Sequence, residues 1–199
     1  MKKEDFINRV KSSLGRREAV MAKPPSLLEP IQNYESKELI ERFRQEYESV
    51  DGIFHLVSSK AAALKKLNEL IEELEVKTYI KTNHKYLKTI VDKLEIEQAT
   101  NPEDADLGIS SAHCLIANTG TIVLDSSTGR KASLLPMKHI AIVKADQLVP
   151  SVAEALQDYM KEPPSSWVQA TGPSRTADIE LTLTIGVHAP GIVHVIMVK

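Results

Sequence analysis

The chain has 199 residues, of which 42% are hydrophobic and 26% are charged, and its formal net charge is −2. These values suit one large soluble domain rather than two. The slightly acidic, mixed charge excludes a general attraction to nucleic acid or to an anionic membrane surface. Any site for an anion would therefore have to be local.

Cys114 is the only cysteine in the sequence. One thiol can form neither an internal disulfide nor the ligand set of an iron–sulfur cluster, and it fits a reducing compartment. Residues 1–17 are basic but lack a continuous apolar core, so we expect no signal peptide. No apolar run approaches the roughly 18 residues of a membrane span. We expect a cytoplasmic protein that does not associate with membranes.

The N-terminal segment differs in character from the rest of the chain. Apolar residues at helical spacing predict a short amphipathic helix within residues 6–14. Residues 22–30 contain three prolines and cannot form one continuous helix. We therefore divide the chain into an N-terminal helix with a proline-rich tether, residues 1–30, and an α/β domain, residues 31–199. The helix either packs on its own domain or docks on a partner subunit.

Helical and strand patterns alternate between residues 36 and 99 and predict a mostly parallel sheet with helices on both faces. Residues 113–127 contain two β-rich runs around Asn-Thr-Gly, which predicts a hairpin whose glycine supplies a positive φ. Residues 129–136 read as a loop, followed by a buried strand. Residues 146–160 predict a helix, kinked or started by a proline. Two further strands are predicted at residues 167–171 and 192–199.

The least ordinary stretch is TGPSRTADIELTLTIGVHAPG, residues 171–191. Its apolar residues fit both a helical row and a strand. We favour a helix that begins after Gly-Pro-Ser, because acidic residues follow in its first turns and Gly186 is a fitting end. The amino end of such a helix offers free N–H groups to an anion, and Arg175 offers a bidentate fork. The alternative is a capped core helix with Arg175 paired to an acid.

Three further residue groups are candidates for chemistry. On a helix, Asp178 and Glu180 lie about 200° apart, so they cannot form a carboxylate pair, and Glu180 is the better inward carboxylate. His188, between glycines, is either a proton carrier or a histidine bonded to backbone. The loop around Arg130 either cradles a phosphate or carboxylate or is a solvated basic loop. The candidate catalytic residues are thus Glu180 and His188, and the candidate ligand-binding residues are Asn118, Thr119, Gly120, Thr121, Arg130, Gly172, Ser174, Arg175, Thr176 and Asp178.

Several common sites lack their usual sequence marks. The chain has no Walker loop, no GxGxxG and no GxSxG, which are typical of nucleotide hydrolysis, dinucleotide binding and serine hydrolysis. It also has no HExxH and no CxxC, so we expect no metal site. His55, His139 and His194 fall within predicted strands and are expected in the core or at a sheet edge.

Four segments occur in a specific order: FINRVKSSLGR, ADLGISSAHCLIANTGTIVLDSS, ASLLPMKHIAIVKADQLVPSVAEAL and TGPSRTADIELTLTIGVHAPGIVHVIMV. Together they resemble the LUD-domain family. The resemblance implies a single three-layer α/β domain similar to the sugar-phosphate isomerase, CoA-transferase and 5-formyltetrahydrofolate cyclo-ligase group. It also implies a role beside two iron–sulfur lactate-utilization proteins in oxidising L-lactate to pyruvate, with the clusters on those partners and no cofactor on this chain. The family often has Glu where this chain has Asn118, so a carboxylate mechanism at that turn is not expected here.

Three hypotheses follow for function. The first is a component of a lactate-oxidising complex that binds a small carboxylate or phosphorylated ligand at one end of the sheet. The second is a stand-alone isomerase or acyl-transfer enzyme acting on a sugar phosphate or a CoA thioester. The third is a non-catalytic binding or scaffold subunit that docks through its first helix.

Overall fold

The computed structural model describes residues 3–13, 35–126, 130–161, 163–176, 184–185 and 188–199. The chain divides into two compact units, Met1–Ile31 and Gln32–Lys199. In the first unit, helix α1 spans Lys3–Ser13, and its Phe6 and Ile7 side chains are exposed. The second unit holds the remaining elements.

The helices of the second unit are α2 (Ser36–Ser49), α3 (Lys60–Glu73), α4 (Lys85–Val91), α5 (Lys131–Leu134) and α6 (Val152–Lys161). Its strands are β1 (Ile53–Val57), β2 (Thr78–Lys81), β3 (Glu97–Gln98), β4 (Leu107–Ser110), β5 (Cys114–Ile116), β6 (Thr121–Asp125), β7 (Lys138–Lys144), β8 (Leu148–Val149), β9 (Trp167–Ala170), β10 (Arg175–Thr176), β11 (Thr184–Ile185) and β12 (Ile192–Val198). Short 3-10 turns span Pro102–Asp104, Ala117–Thr119 and Ala145–Gln147.

Two sheets organise the unit. The larger has the order β1-β12-β7-β4-β2-β3, and every neighbouring pair in it is parallel. The smaller has the order β8-β5-β6-β9, in which β5 and β6 form the predicted antiparallel hairpin. Parallel strands need crossover connections, and α3 and α4 supply them. The hairpin is therefore part of a second sheet that the sequence patterns did not reveal.

At the start of two helices, side chains accept hydrogen bonds from backbone N–H groups. The Ser59 hydroxyl accepts a hydrogen bond from the Ala62 N–H at 3.2 Å, which caps α3. At the start of α2 the Glu35 N–H donates to the Glu38 carboxylate at 3.3 Å. On α2, Phe43 and Tyr47 lie one turn apart and are fully buried. These side chains fix which face of α2 points inward.

The cores lie on both faces of the parallel sheet. One face packs against α3 and α4, and the other packs against α2 and the hairpin. A third cluster joins the hairpin to α6. Helices, parallel sheet and hairpin sheet therefore stack as layers, which confirms the predicted three-layer α/β fold. The fully buried leucine and isoleucine side chains include Leu67, Leu70, Leu87, Ile90, Leu107, Ile109, Leu115, Ile116, Ile122, Ile140, Ile142 and Ile196.

Three local predictions were wrong in part. The predicted loop at residues 129–136 contains the one-turn helix α5. The helix predicted from residue 146 begins only at Val152, because Pro150 lacks an N–H and disfavours the α conformation in the residue before it. The favoured helix after Gly-Pro-Ser is wrong at residues 175–176 and 184–185, which pair as antiparallel strands β10 and β11. Three of these four residues are β-branched, which favours extended backbone.

Candidate functional site at the carboxyl edge of the parallel sheet

The structure brings together two segments that the sequence proposes as one site. Thr121 Oγ1 lies 2.8 Å from Thr171 Oγ1 and 2.7 Å from Thr119 Oγ1. This chain of hydroxyls joins the hairpin turn to the loop that precedes β10. We call residues 117–121 and 171–176 together the hairpin-turn region. The region lies beside α2, and this position explains why it contains two glycines with positive φ.

Both glycines of this region have positive φ and press against the end of α2. Gly120 has φ 59°, and a Cβ there would lie 2.4 Å from the Tyr47 backbone nitrogen. Gly172 has φ 72°, and its Cβ would lie 2.4 Å from the Val50 carbonyl oxygen. Only glycine allows backbones to approach so closely in this conformation. The protein's own packing therefore accounts for both glycines.

Arg175 has a partner within the protein. Its Nη2 lies 2.7 Å from Asp51 Oδ2, in an ion pair whose side chains are 31% and 63% exposed. This is the acid partner that the alternative interpretation of the sequence expects. Ser174 is half-buried, and its N–H donates to the Pro190 carbonyl at 2.8 Å.

The other predicted site residues are spread around this region. Asn118, Thr119 and His188 are exposed, whereas Thr121 is buried. Arg130 directly precedes α5, which packs against β2, β4 and β7. Thr176 lies on β10, and both Asp178 and Glu180 lie outside the described residues. Ligand binding by this set stays a prediction.

The topology of the parallel sheet favours a different ligand site, outside the carboxyl ends of β2 and β4. After β2 the chain turns to β3 on one side, and after β4 it turns to β7 on the other side. The direction of winding therefore changes between β2 and β4, which are neighbours in the sheet. In open α/β sheets, ligands bind in the crevice outside the carboxyl ends of two such strands.

Polar side chains without partners collect at this crevice. Thr82 and His84 follow β2, and Ser111 follows β4; we call these three residues the switch-point cluster. Thr82 and Ser111 are each 2% exposed. Thr82 Oγ1, His84 Nδ1 and Ser111 Oγ have no hydrogen-bond partner among the described residues. Leaving a buried hydroxyl unpaired costs about 1–3 kcal/mol, so such a group marks a place where a ligand oxygen would be stabilising.

A cationic cleft of about 300 Å³ lies at the same edge of the sheet. Three of its side chains are lysines, and Asp146 is its acid. Lys144 Nζ lies 2.9 Å from the Asp146 carboxylate, and Lys60 Nζ lies 5.0 Å above the centre of the Tyr86 ring. The excess of positive charge suits a carboxylate or a phosphate. We call this the lysine cleft; it is lined by Ser59, Lys60, Tyr86, Lys144, Ala145, Asp146, Val198 and Lys199.

The cleft and the cluster lie at the same edge of the sheet, and Tyr86 of the cleft is two residues from His84 of the cluster. Burial lowers the pKa of His84, the Asp125 carboxylate raises it, and the Lys144 ammonium lowers it further, so Lys144 acts on both. Tyr86 lines the cleft, and its buried hydroxyl has no partner among the described residues. Burial, and then the Asp146 charge, raise the pKa of that hydroxyl. His84 and Tyr86 are therefore both neutral hydrogen-bonding groups near pH 7.

A buried carboxylate lies within electrostatic reach of His84. Tyr159 donates its hydroxyl hydrogen to Asp125 Oδ2 at 3.1 Å, and His113 Nδ1 lies 3.7 Å from the same oxygen. The His113 ring stacks on the Tyr159 ring with centroids 4.4 Å apart. Asp125 ends β6, and Tyr159 belongs to α6. The hairpin sheet thus contributes acid–base groups close to the end of the parallel sheet.

The strand histidines lie in the core or at a sheet edge, as predicted: His139 and His194 are buried, and His55 is half-buried on the edge strand β1. His139 Nε2 lies 2.8 Å from Ser110 Oγ, and burial lowers the pKa of His139 to about 4. His194 Nδ1 lies 3.1 Å from His55 Nε2, and burial, followed by the charges of His55 and Lys66, lowers the pKa of His194 to about 4. These rings are neutral at pH 7. Among the described residues no group of three or more His, Cys, Asp or Glu side chains could hold a metal ion.

A sequence model of the LUD domain matches residues 40–198. The chain belongs to the LUD-domain family. The lactate utilization protein C of an Exiguobacterium species is 30% identical over 223 aligned positions, which cover 98% of this chain and 95% of the relative. That of Oceanobacillus iheyensis is 29% identical and covers 94% of both chains, and that of Bacillus subtilis is 40% identical over 47% of this chain and 42% of the relative.

A solved LUD-like structure has the same fold. The crystal structure of a DUF162 family protein from Deinococcus radiodurans superposes with a TM-score of 0.64 at 20% identity, over 84% of this chain and all of that one. Within the described part of the LUD-domain chain, no helix is long and apolar enough to cross a membrane.

Neither the switch-point cluster nor the lysine cleft is predicted from the sequence. His84 follows a predicted strand and Lys144 lies in one, whereas Ser111 follows β4, a strand that was not predicted. The three residue types are ordinary and their spacing matches no motif. The signal that unites them is strand order, which places the ends of β2, β4 and β7 side by side. That order becomes visible only in the folded LUD domain.

Proposed function

We propose that this chain is a component of a cytoplasmic L-lactate utilization system, in which lactate is oxidised to pyruvate. The observation that carries the proposal is the extent of the similarity. Relatives called lactate utilization protein C align over 94%, 95% and 98% of the chain. The similarity therefore involves nearly the whole protein, and its function is expected to be of the same kind.

We propose further that the LUD domain binds a small carboxylate or phosphate ligand in the lysine cleft. Three lysines against one aspartate give the cleft a positive charge although the whole chain is slightly acidic. Its volume of about 300 Å³ lies at the low end of the range for ligand pockets. A small hydroxy acid or a phosphate group fits these properties.

The redox step is assigned to partner proteins in this proposal. Oxidation of lactate releases two electrons and two protons, and the electrons need an acceptor. An iron–sulfur cluster is held by several thiolates, whereas this chain has Cys114 alone. We propose that two iron–sulfur proteins accept the electrons and that the LUD domain binds the substrate or product beside them.

The test is reconstitution. The two iron–sulfur partners are expressed with and without this chain, and L-lactate-dependent reduction of a dye is measured in the purified complexes. We expect the rate to be lost when the chain is omitted and restored by adding it. An unchanged rate without the chain would overturn the proposal. Activity of the isolated chain on a sugar phosphate or a CoA thioester would instead support the stand-alone enzyme.

A further inference from the structure

The carboxyl edge of the sheet combines two kinds of chemistry in one place. The lysine cleft is cationic, whereas the switch-point cluster consists of two hydroxyls and a histidine held neutral by burial. Lys144 and Tyr86 connect the two, as described above. A ligand that fits both would have an anionic group at one end and an uncharged hydrogen-bonding group at the other.

We propose that Thr82, His84 and Ser111 form a subsite for the hydroxyl or carbonyl oxygen of a ligand whose carboxylate occupies the lysine cleft. This inference rests on the proposed function, and it names the ligand class as hydroxy- and oxo-carboxylates. The site would discriminate against alkyl carboxylates of the same length, which have no oxygen to offer the cluster.

The discrimination follows from the buried state of the cluster. Thr82 Oγ1 and Ser111 Oγ are withdrawn from water and have no partner among the described residues. A ligand oxygen between them would satisfy groups that an alkyl carboxylate leaves unpaired. Sites built to bind a hydroxyl reject analogues that lack it for this reason.

The experiment compares three probes: L-lactate, pyruvate and propionate. Their Kd values are measured by calorimetry on the full chain. We expect the wild type to bind lactate and pyruvate about tenfold more tightly than propionate, since one hydrogen bond contributes about 0.5–1.5 kcal/mol. Thr82→Val and Ser111→Ala should bring the Kd of lactate close to that of propionate and leave propionate unchanged.

Two variants make the result specific. Lys144→Met should weaken all three probes alike, because it removes an ammonium that would bind the carboxylate common to all three. Ser133→Ala removes another buried hydroxyl without a described partner, on α5, and should change no Kd. A preference for lactate that survives both Thr82→Val and Ser111→Ala would overturn the subsite.

The subsite and the proposed anion site fail in different ways. Equal affinity of the wild type for lactate and propionate, lost for both in Lys144→Met, overturns the subsite and leaves the anion site in place. No binding of any probe to the folded wild type overturns both. The wild-type comparison needs no variant, so a substitution that unfolds the chain does not weaken the test.

Discussion

The hairpin-turn region and the carboxyl edge of the sheet differ in whether contacts within the protein account for their unusual residues. In the hairpin-turn region, the glycines fit against α2, the Thr121 hydroxyl is bonded to two others, and Arg175 is paired with Asp51. At the carboxyl edge, Thr82 and Ser111 are buried and His84 is half-buried. Their Oγ1, Oγ and Nδ1 atoms are withdrawn from water and have no such partner among the described residues. The polar groups of the hairpin-turn region are bonded within the protein, whereas those of the switch-point cluster can still form hydrogen bonds with a ligand.

This difference separates two reasons for an unusual residue. A glycine with positive φ or an arginine beside a loop is needed whenever a chain turns tightly against its own helix. An unpaired buried hydroxyl has no such structural reason, because it destabilises the fold. Unsatisfied polar groups at a topological switch point are therefore the better marker of a ligand site. Four predictions test this comparison.

The largest effect is expected at Gly120. Gly120→Ala forces a side chain into left-handed backbone and places its Cβ against the Tyr47 backbone. We expect the free energy of unfolding, measured by urea denaturation, to fall by about 3 kcal/mol or more. Asn118→Ala, in the same turn but exposed, should change it by less than about 0.5 kcal/mol. Full stability of Gly120→Ala together with lost lactate binding would make this turn a ligand site after all.

The next effect concerns affinity at the carboxyl edge. Lys144→Met removes an ammonium from the lysine cleft, and a charged hydrogen bond contributes about 1.5–3 kcal/mol, so lactate affinity should fall by roughly 10- to 100-fold. Lys138→Met is the matched control, because Lys138 begins the strand that Lys144 ends. Calorimetry at low salt should show less than a twofold change for that control. Equal losses in both variants would mean that the cleft contributes only general charge.

How far the sequence predicts these regions depends on how local their signals are. The Asn-Thr-Gly hairpin is correctly predicted because a glycine turn between two β-rich runs is a signal within ten residues. The secondary structure of residues 175–185 is ambiguous from the sequence, because the apolar spacing there fits both a helix and a strand. At the described positions the chain forms strands, which the β-branched Thr176 and Thr184 favour. His84 and Ser111 were missed for another reason. Their meaning comes from the adjacency of β2 and β4, which is a property of tertiary pairing.

Stability should respond in opposite directions in the two regions. Thr121→Val removes a hydroxyl that is bonded to Thr119 and Thr171, and it should lower the free energy of unfolding by about 1–2 kcal/mol. Ser111→Ala removes an unpaired buried hydroxyl, so it should be neutral or raise stability by up to about 1 kcal/mol. Urea denaturation of the ligand-free proteins measures both. A loss in Ser111→Ala as large as that in Thr121→Val would show that Ser111 is already satisfied.

The smallest effect is expected at Arg175. Its ion pair with Asp51 is partly exposed, and such pairs contribute about 0.2–1 kcal/mol. A double-mutant cycle of Arg175→Ala with Asp51→Asn should give a coupling energy in this range that disappears at high salt; asparagine tolerates the positive φ of residue 51. Lactate affinity should be unchanged in Arg175→Ala. A tenfold loss of affinity in that folded variant would instead place the anion in the hairpin-turn region, because Arg175 does not line the lysine cleft.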